Sequence, residues 1–264
     1  MSHYCVGVIV KDIEDVDKAL APFYEGLISD RYIYKTKEQV IKDARLELEE
    51  EKQKYEFMSN QEECSNTTLK RHNEYLYNEF INLYNKTDEE LYQIKKEYQD
   101  GEDIDEFGNF TTTYNPNSKW DWYSIGGRWD NYIKTKHGTT CNFAKIKDIS
   151  FFPDGKTYND SIRFWEIVVE GENPKDEESI PFTIQAPVYF INRYKTKENY
   201  AKQMSRFETF ALLYQGRWYE RGQMSWFGVD DSTPESLEEY SETFDRIMQE
   251  VDPDDYFVIV DCHI

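Results

Sequence analysis

"HYCVGVIV", residues 3–10, reads as a strand that begins almost at the N-terminus, and "YFVIVDCHI", residues 256–264, reads as the strand that closes the chain. How these two meet decides the fold. In an antiparallel pair the start of one strand lies beside the end of the other, so His3 and His263 would share one edge of the sheet. A parallel pair would put them at opposite ends.

Working outward, Asp12 is placed to cap a short helix carrying Val16, Ala19 and Leu20, which Pro22 would stop. From Lys35 to about Gln99 the composition shifts to Glu, Lys, Gln and Asn, with no proline and no glycine. Thr36 with Gln39, and Thr87 with Glu90, have capping-box spacing. Tyr75, Leu76, Phe80, Leu83, Tyr84, Leu91, Ile94 and Tyr98 recur at helical intervals. These features predict two or three charged helices over 35–99, inserted into a core built from 1–34 and 100–264.

Further on, "RFWEIVVE" (163–170) reads as a strand and "TKENYAKQMSRF" (196–207) as a helix. "FETFALLYQGRWYERG" (207–222) predicts a hairpin turning at Gln215–Gly216. Thr233 caps a helix, Pro234 takes its first position, and Leu237, Tyr240, Phe244, Ile247 and Met248 form its apolar stripe. The expected fold is therefore α+β: one core domain with a mainly antiparallel sheet and a charged helical insertion. A ferredoxin-like sheet is one arrangement that satisfies this order.

The chain carries 52 acidic against 31 basic residues, a formal charge of −21. That balance argues against a nonspecific grip on nucleic acid or anionic membrane, which needs a concentrated basic surface. No apolar run is long enough to span a bilayer, and "CVGVIV" lacks a basic leader. Cys5, Cys64, Cys141 and Cys262 are far apart and form no C-x-x-C pair, so free thiols in a reducing cytoplasm are expected.

Chemistry concentrates in "NPNSKWDWYSIGGRW", residues 115–129. Gly126 and Gly127 permit positive φ and close approach of a ligand or of another chain segment. Arg128 offers a planar fork of donors for carboxylate or phosphate. Trp120, Trp122 and Trp129 offer flat apolar faces, Lys119 adds charge, and Asp121 can orient Arg128 or accept from a hydroxyl. These are the residue types that hold a base, a ribose and a phosphate. The competing reading makes Trp120, Trp122 and Ser124 one strand face, Gly-Gly a turn, and Arg128 a structural partner of Asp121. A second cluster, "QGRWYERGQMSWFG" (215–228), repeats Gly-Arg-Trp and contributes Arg217, Glu220 and Trp226, or is an aromatic hairpin with a surface ion pair.

The termini supply the third cluster: His3 at one end, Asp261, Cys262 and His263 at the other. No HxxxH, HxH or HxxE spacing supports a metal, and a Cys262–His263 nucleophile pair fails because strand neighbours point to opposite faces. Asp103, Asp105 and Gly108 resemble part of a calcium loop, but Phe107 and Tyr114 occupy positions where ligands are needed. The sequence contains no P-loop, G-x-G-x-x-G, G-x-S-x-G or H-E-x-x-H. No metal and no cofactor is assigned.

With these residues in view, the chain resembles an uncharacterised family of proteins from tailed bacteriophages and prophages. The resemblance rests on "MSHY" with the apolar strand after it, "ALAPF", "NPNSKWDWYSIGGRW", "GRWYERGQMSWFG" and "DPDDYFVIVDCHI". It covers both ends and the centre and leaves about 35–100 as the variable part. It implies a phage or mobile-element origin, host-cell cytoplasm as the setting, and a role in host takeover or counter-defence. No reaction comes with it.

Three functions fit these readings. The first is a binder that holds a nucleotide-like or other anionic small molecule, with Lys119, Arg128 and Arg217 supplying charge and Trp120, Trp122, Trp129 and Trp226 stacking; it would sequester a host defence signal. The second is a hydrolase or transferase acting on such a molecule, with His3 or His263 as acid/base, Glu220 or Asp121 as partner and Arg128 stabilising negative charge. The third is an acidic inhibitor of a nucleic-acid-binding host defence protein. A homo-oligomer is compatible with all three.

Overall fold

The computed structural model describes residues 2–59, 67–99, 103–151, 155–175, 178–179, 181–225 and 228–264, with backbone alone over 54–59 and 67–74. The strands are β1 (His3–Val10), β2 (Tyr32–Lys35), β3 (Phe110–Thr112), β4 (Trp122–Ile125), β5 (Ile133–Lys134), β6 (Thr140–Cys141), β7 (Phe143–Lys145), β8 (Ala211–Tyr214), β9 (Arg217–Glu220) and β10 (Tyr256–His263). The helices are α1 (Val16–Leu20), α2 (Lys37–Ser59), α3 (Thr67–Tyr84), α4 (Asp88–Glu97), α5 (Gly155–Val168), α6 (Pro187–Tyr194), α7 (Lys197–Ser205) and α8 (Pro234–Glu250). The fold is α+β with mainly antiparallel sheets. None of the described helices is long and apolar enough to cross a membrane.

The chain forms two compact units, one of residues 1–27 with 115–264 and one of residues 28–114. In the second, α2, α3 and α4 are flanked by the antiparallel pair β2–β3. Both anticipated capping boxes form. Thr36 exchanges hydrogen bonds with Gln39, and Thr87 with Glu90. Val40, Tyr92 and Phe110 make one small core of this unit, and Leu48, Phe80 and Leu91 another. Asp105, read above as part of a broken calcium loop, accepts from the backbone of Phe107 and Asn109 and from the Asn109 amide, closing a turn.

The first unit is organised by a sheet in the order β4-β10-β1-β8-β9, with β7 also paired to β10. β1 and β10 pair antiparallel over their full length, from His3 opposite His263 to Val10 opposite Tyr256. The ferredoxin-like order is not adopted. That order splits its parallel strands with a third between them, whereas here β8 pairs directly and in parallel with β1. The predicted hairpin forms β8 and β9, and Gln215 and Gly216 both take positive φ, as a two-residue turn of that hand requires.

Strand alternation divides the core. Tyr4, Val6, Val8, Val10, Leu213, Val258, Val260 and Cys262 face one side, where α1 supplies Val16 and Leu20. Cys5, Ile9, Leu212, Phe257 and Ile259 face the other, covered by Tyr240, Phe244 and Ile247 of α8. Thr233 caps that helix and Pro234 occupies its first turn, as predicted.

The strand expected at 163–170 is a correction. Those residues belong largely to α5, where Phe164, Trp165 and Val168 pack with Phe190 and Tyr200. The β-branched and aromatic run suited a strand, but its apolar positions also repeat one helical turn apart. Packing against α6 and α7 overrides propensity.

Two arginines, Arg193 and Arg221, share the carboxylate of Asp230 at 2.9 and 3.0 Å. Burial opposes ionisation of Asp230. Hydrogen bonds from Ser232 and Arg193, with the charge of both guanidinium groups, outweigh it and hold the carboxyl at about 2. A depressed carboxyl contributes stability above its unfolded value near 4 and loses it as pH falls toward 2, here on the order of 2 kcal/mol. Asp230→Asn should therefore shallow the acid limb: the difference in urea stability between wild type and variant should shrink between pH 5 and pH 2. In the core, Phe244→Ala should cost about 3–5 kcal/mol, read as a lower urea midpoint at unchanged slope.

Candidate functional site

The β1–β10 register sets His3 beside His263 at one end of the sheet, and β4 adds Trp122 beside His263 and Ser124 beside Asp261. Alternation places His3, Asp261, His263, Trp122 and Ser124 on the same face, the α8 side. The antiparallel alternative posed by the sequence is the one adopted.

Each histidine is held by a carboxylate at Nδ1. His3 Nδ1 lies 2.8 Å from Asp261 Oδ1, and His263 Nδ1 lies 2.6 Å from Asp121 Oδ1. The ring centroids are 5.0 Å apart, edge to face. Trp122 stacks on His263 at 5.2 Å and meets His3 edge-on at 5.3 Å. Among the described residues the histidine hydrogen bonds run through Nδ1, and none is made by either Nε2.

The two carboxylates are themselves held. Asp261 is buried, and its second oxygen accepts the Arg128 backbone N–H at 2.9 Å. Asp121 Oδ1 also accepts the Trp122 N–H at 2.7 Å. Carboxylates held in this way, Asp261 buried and Asp121 partly exposed, orient the ring and select its tautomer.

The glycine pair explains how Arg128 comes to Asp261. Gly127 has φ +55°, and a Cβ there would stand 2.4 Å from Asp261 Cβ and Oδ2. Gly126, at φ +75°, meets the Asn142 amide in the same way, 2.5 Å from a Cβ. Of the two partners the sequence allowed for this close approach, a ligand or another chain segment, the structure shows the second: the chain's own Asp261 and Asn142.

The rest of the expected Trp/Arg pocket does not assemble. Trp120 donates its indole N–H to the Leu20 carbonyl and packs on the α1 side of the sheet. Trp129 packs into the α8-side core. Lys119 is paired to Glu220 at 2.6 Å, and the Trp218 indole donates to the same carboxylate. That cluster, with the Tyr4 hydroxyl donating to the Lys119 carbonyl, lies on the α1 side. Glu220 therefore does not partner either histidine.

Arg217 is on β9, the strand at the far edge from β4, and opposite Tyr214, away from the histidine end. Trp226 lies outside the described residues, although its neighbours Ser225 and Gly228 both bond Ser2, next to His3. Arg128 is exposed and pairs through its backbone alone among the described residues, so the anticipated Arg128–Asp121 ion pair is absent.

Cys64 lies outside the described residues, and none of the described cysteines faces the histidine pair as a nucleophile. Cys5, Cys141 and Cys262 are free, and burial pushes the Cys5 and Cys262 thiols well up. Cys262 faces the α1 side, opposite to His263.

Asp121, one of the two histidine partners read from the sequence, does hold His263, whereas sequence reasoning missed the pairing of Asp261 with His3 and the position of Ser124 beside Asp261. The signal was available once a register was assumed: His3 at one terminus sits within two strand positions of Asp261 at the other. No protein-family model, no curated protein and no solved structure matches the chain.

Gly127 and Gly216 both have positive φ, but nothing lies within 4 Å of a Cβ at Gly216. Gly127→Ala should lose about 1–3 kcal/mol more than Gly216→Ala, because only the first drives a methyl into Asp261. Paired urea melts of the two variants measure that difference directly.

Proposed function

We propose that the protein is a hydrolase or transferase acting on a nucleotide-like, anionic small molecule, with His3 and His263 as its acid–base pair. The observation that carries this reading is the pair of carboxylate-anchored imidazoles 5.0 Å apart, each with Nε2 unengaged. A neutral imidazole whose Nδ1–H is held by a carboxylate presents an Nε2 lone pair. It can take a proton from water or a hydroxyl as that oxygen bonds to phosphorus or carbon. The second ring, protonated, gives its Nε2 proton to the departing oxygen, and the two rings exchange roles for the next turnover.

The surroundings suit an anion with a flat part. Trp122 is 45% exposed, which leaves an indole surface for stacking beyond the one His263 uses. The exposed Arg128 has its guanidinium free of carboxylates among the described residues, next to the anchored Asp261.

A second reading, sequestration without turnover, is favoured by one observation: His263 is only 4% exposed, so a ligand would rest on Trp122 more readily than on the imidazole. In the phage setting that the sequence resemblance implies, either activity would remove a nucleotide-like signal of host defence.

Incubation with a panel of cyclic and linear nucleotides separates these. Turnover predicts product release by wild type and a loss of about 10²–10⁴-fold in rate for His3→Ala or His263→Ala. Trp122→Ala should mainly raise KM. Recovery of intact nucleotide from wild type, with both alanine variants binding nearly as well, would select sequestration. Failure to bind or convert any member of the panel would contradict both.

A further inference from the structure

The chain departs from its acidic character in one stretch. From Arg193 to Arg206 it carries five cations, Arg193, Lys195, Lys197, Lys202 and Arg206, against a single carboxylate, Glu198. The fold gathers four of these, all but Lys197, around a cleft of about 190 Å³ between the end of α6, α7 and the start of α8. Glu238 is the one acidic side chain in its wall.

Two of the cations are fixed from behind. Arg193 donates to Asp230 at 2.9 Å, and Arg206 to Asp245 at 2.6 Å. The other two are less tightly engaged, with Glu235 feeling the charge of Lys195 and Glu238 in the wall beside them. Neither Lys195 nor Lys202 has a carboxylate partner among the described residues, and the Lys195 ammonium donates to the Asn192 carbonyl at 2.9 Å.

The backbone at Lys195 is also unusual. It closes α6 with φ +66° and ψ −50°, a conformation that glycine adopts at lower cost. Keeping lysine there gives up backbone stability while adding a cation to the cleft. Strain of this sort gathers where a side chain is needed for something other than folding.

α8 begins in the same wall at Pro234, so the positive end of its dipole adds to the field. Lys195 and Lys202 bring positive charge to the hollow beside the two carboxylate-paired guanidinium groups, and an anion entering it would be attracted by that charge. The volume is below the roughly 300–1,000 Å³ of sites for drug-sized ligands, which suits a phosphoryl group with a small substituent rather than a large nucleotide. We propose that this cleft is an anion-binding site for a small phosphate-bearing molecule, distinct from the histidine pair.

Titration calorimetry with inorganic phosphate and with ribose 5-phosphate, against sodium chloride at matched ionic strength, tests this. Wild type should bind both saturably. Lys195→Gly should weaken binding at least tenfold while keeping or raising the melting temperature, because glycine relieves the backbone. Lys202→Glu should weaken it as strongly, and His3→Ala should leave it unchanged. The proposal is overturned if wild type shows no binding beyond the chloride control. It is equally overturned if a variant carrying both Lys195→Gly and Lys202→Glu binds like wild type, or if His3→Ala, not the lysine variants, removes binding.

Discussion

The antiparallel pairing of β1 with β10 is the constraint on which the rest of the first unit depends. Eight residues of each strand are in register, and backbone bonds between Ser2 and Ile264 continue the ladder past its His3–His263 end. The pairing supplies the two central strands of the sheet, from which both cores are built. It also brings together side chains almost the full length of the chain apart, so His3 can meet Asp261 and His263. A slip of one residue would turn every one of these side chains to the opposite face.

The same alternation explains why a dense motif does not make one pocket. Within "KWDWYS", residues 119–124, Lys119, Trp120 and Tyr123 contact the α1-side cluster or its neighbours, while Asp121, Trp122 and Ser124 belong to the α8-side histidine site. Residue types that together suggest a nucleotide pocket are thus separated by the thickness of a sheet. What remains on the site's face is smaller: two imidazoles, two carboxylates, one indole and a turn of two glycines. The glycines serve the carboxylate. By letting the Arg128 N–H reach Asp261, they hold the group that holds His3.

Much of the architecture was legible where one signal dominated. The capping boxes at Thr36 and Thr87, the turn at Gln215–Gly216 and the start of α8 at Thr233–Pro234 are local chemistry, and each is present. Residues 163–170 were misread because a short run of aromatic and β-branched residues satisfies both periods, and only contact with Phe190 and Tyr200 decides between them. The candidate site was legible in part. His3, His263, Asp121 and Trp122 could be named from their chemistry, but their pairing depends on strand register. Glu220 and Lys119 went astray because reading by proximity in sequence ignores which face a residue occupies. The basic cleft was missed because the overall charge of −21 hides a stretch of opposite sign.

The central claim is that both imidazoles are anchored through Nδ1 so that both Nε2 atoms are left for chemistry. Long-range ¹H–¹⁵N correlation spectra of ¹⁵N-histidine-labelled protein, assigned with His3→Gln and His263→Gln, report this directly. The account predicts that each ring, when neutral, carries its proton on Nδ1 with Nε2 as the bare nitrogen. A neutral ring protonated at Nε2, at either position, would contradict it.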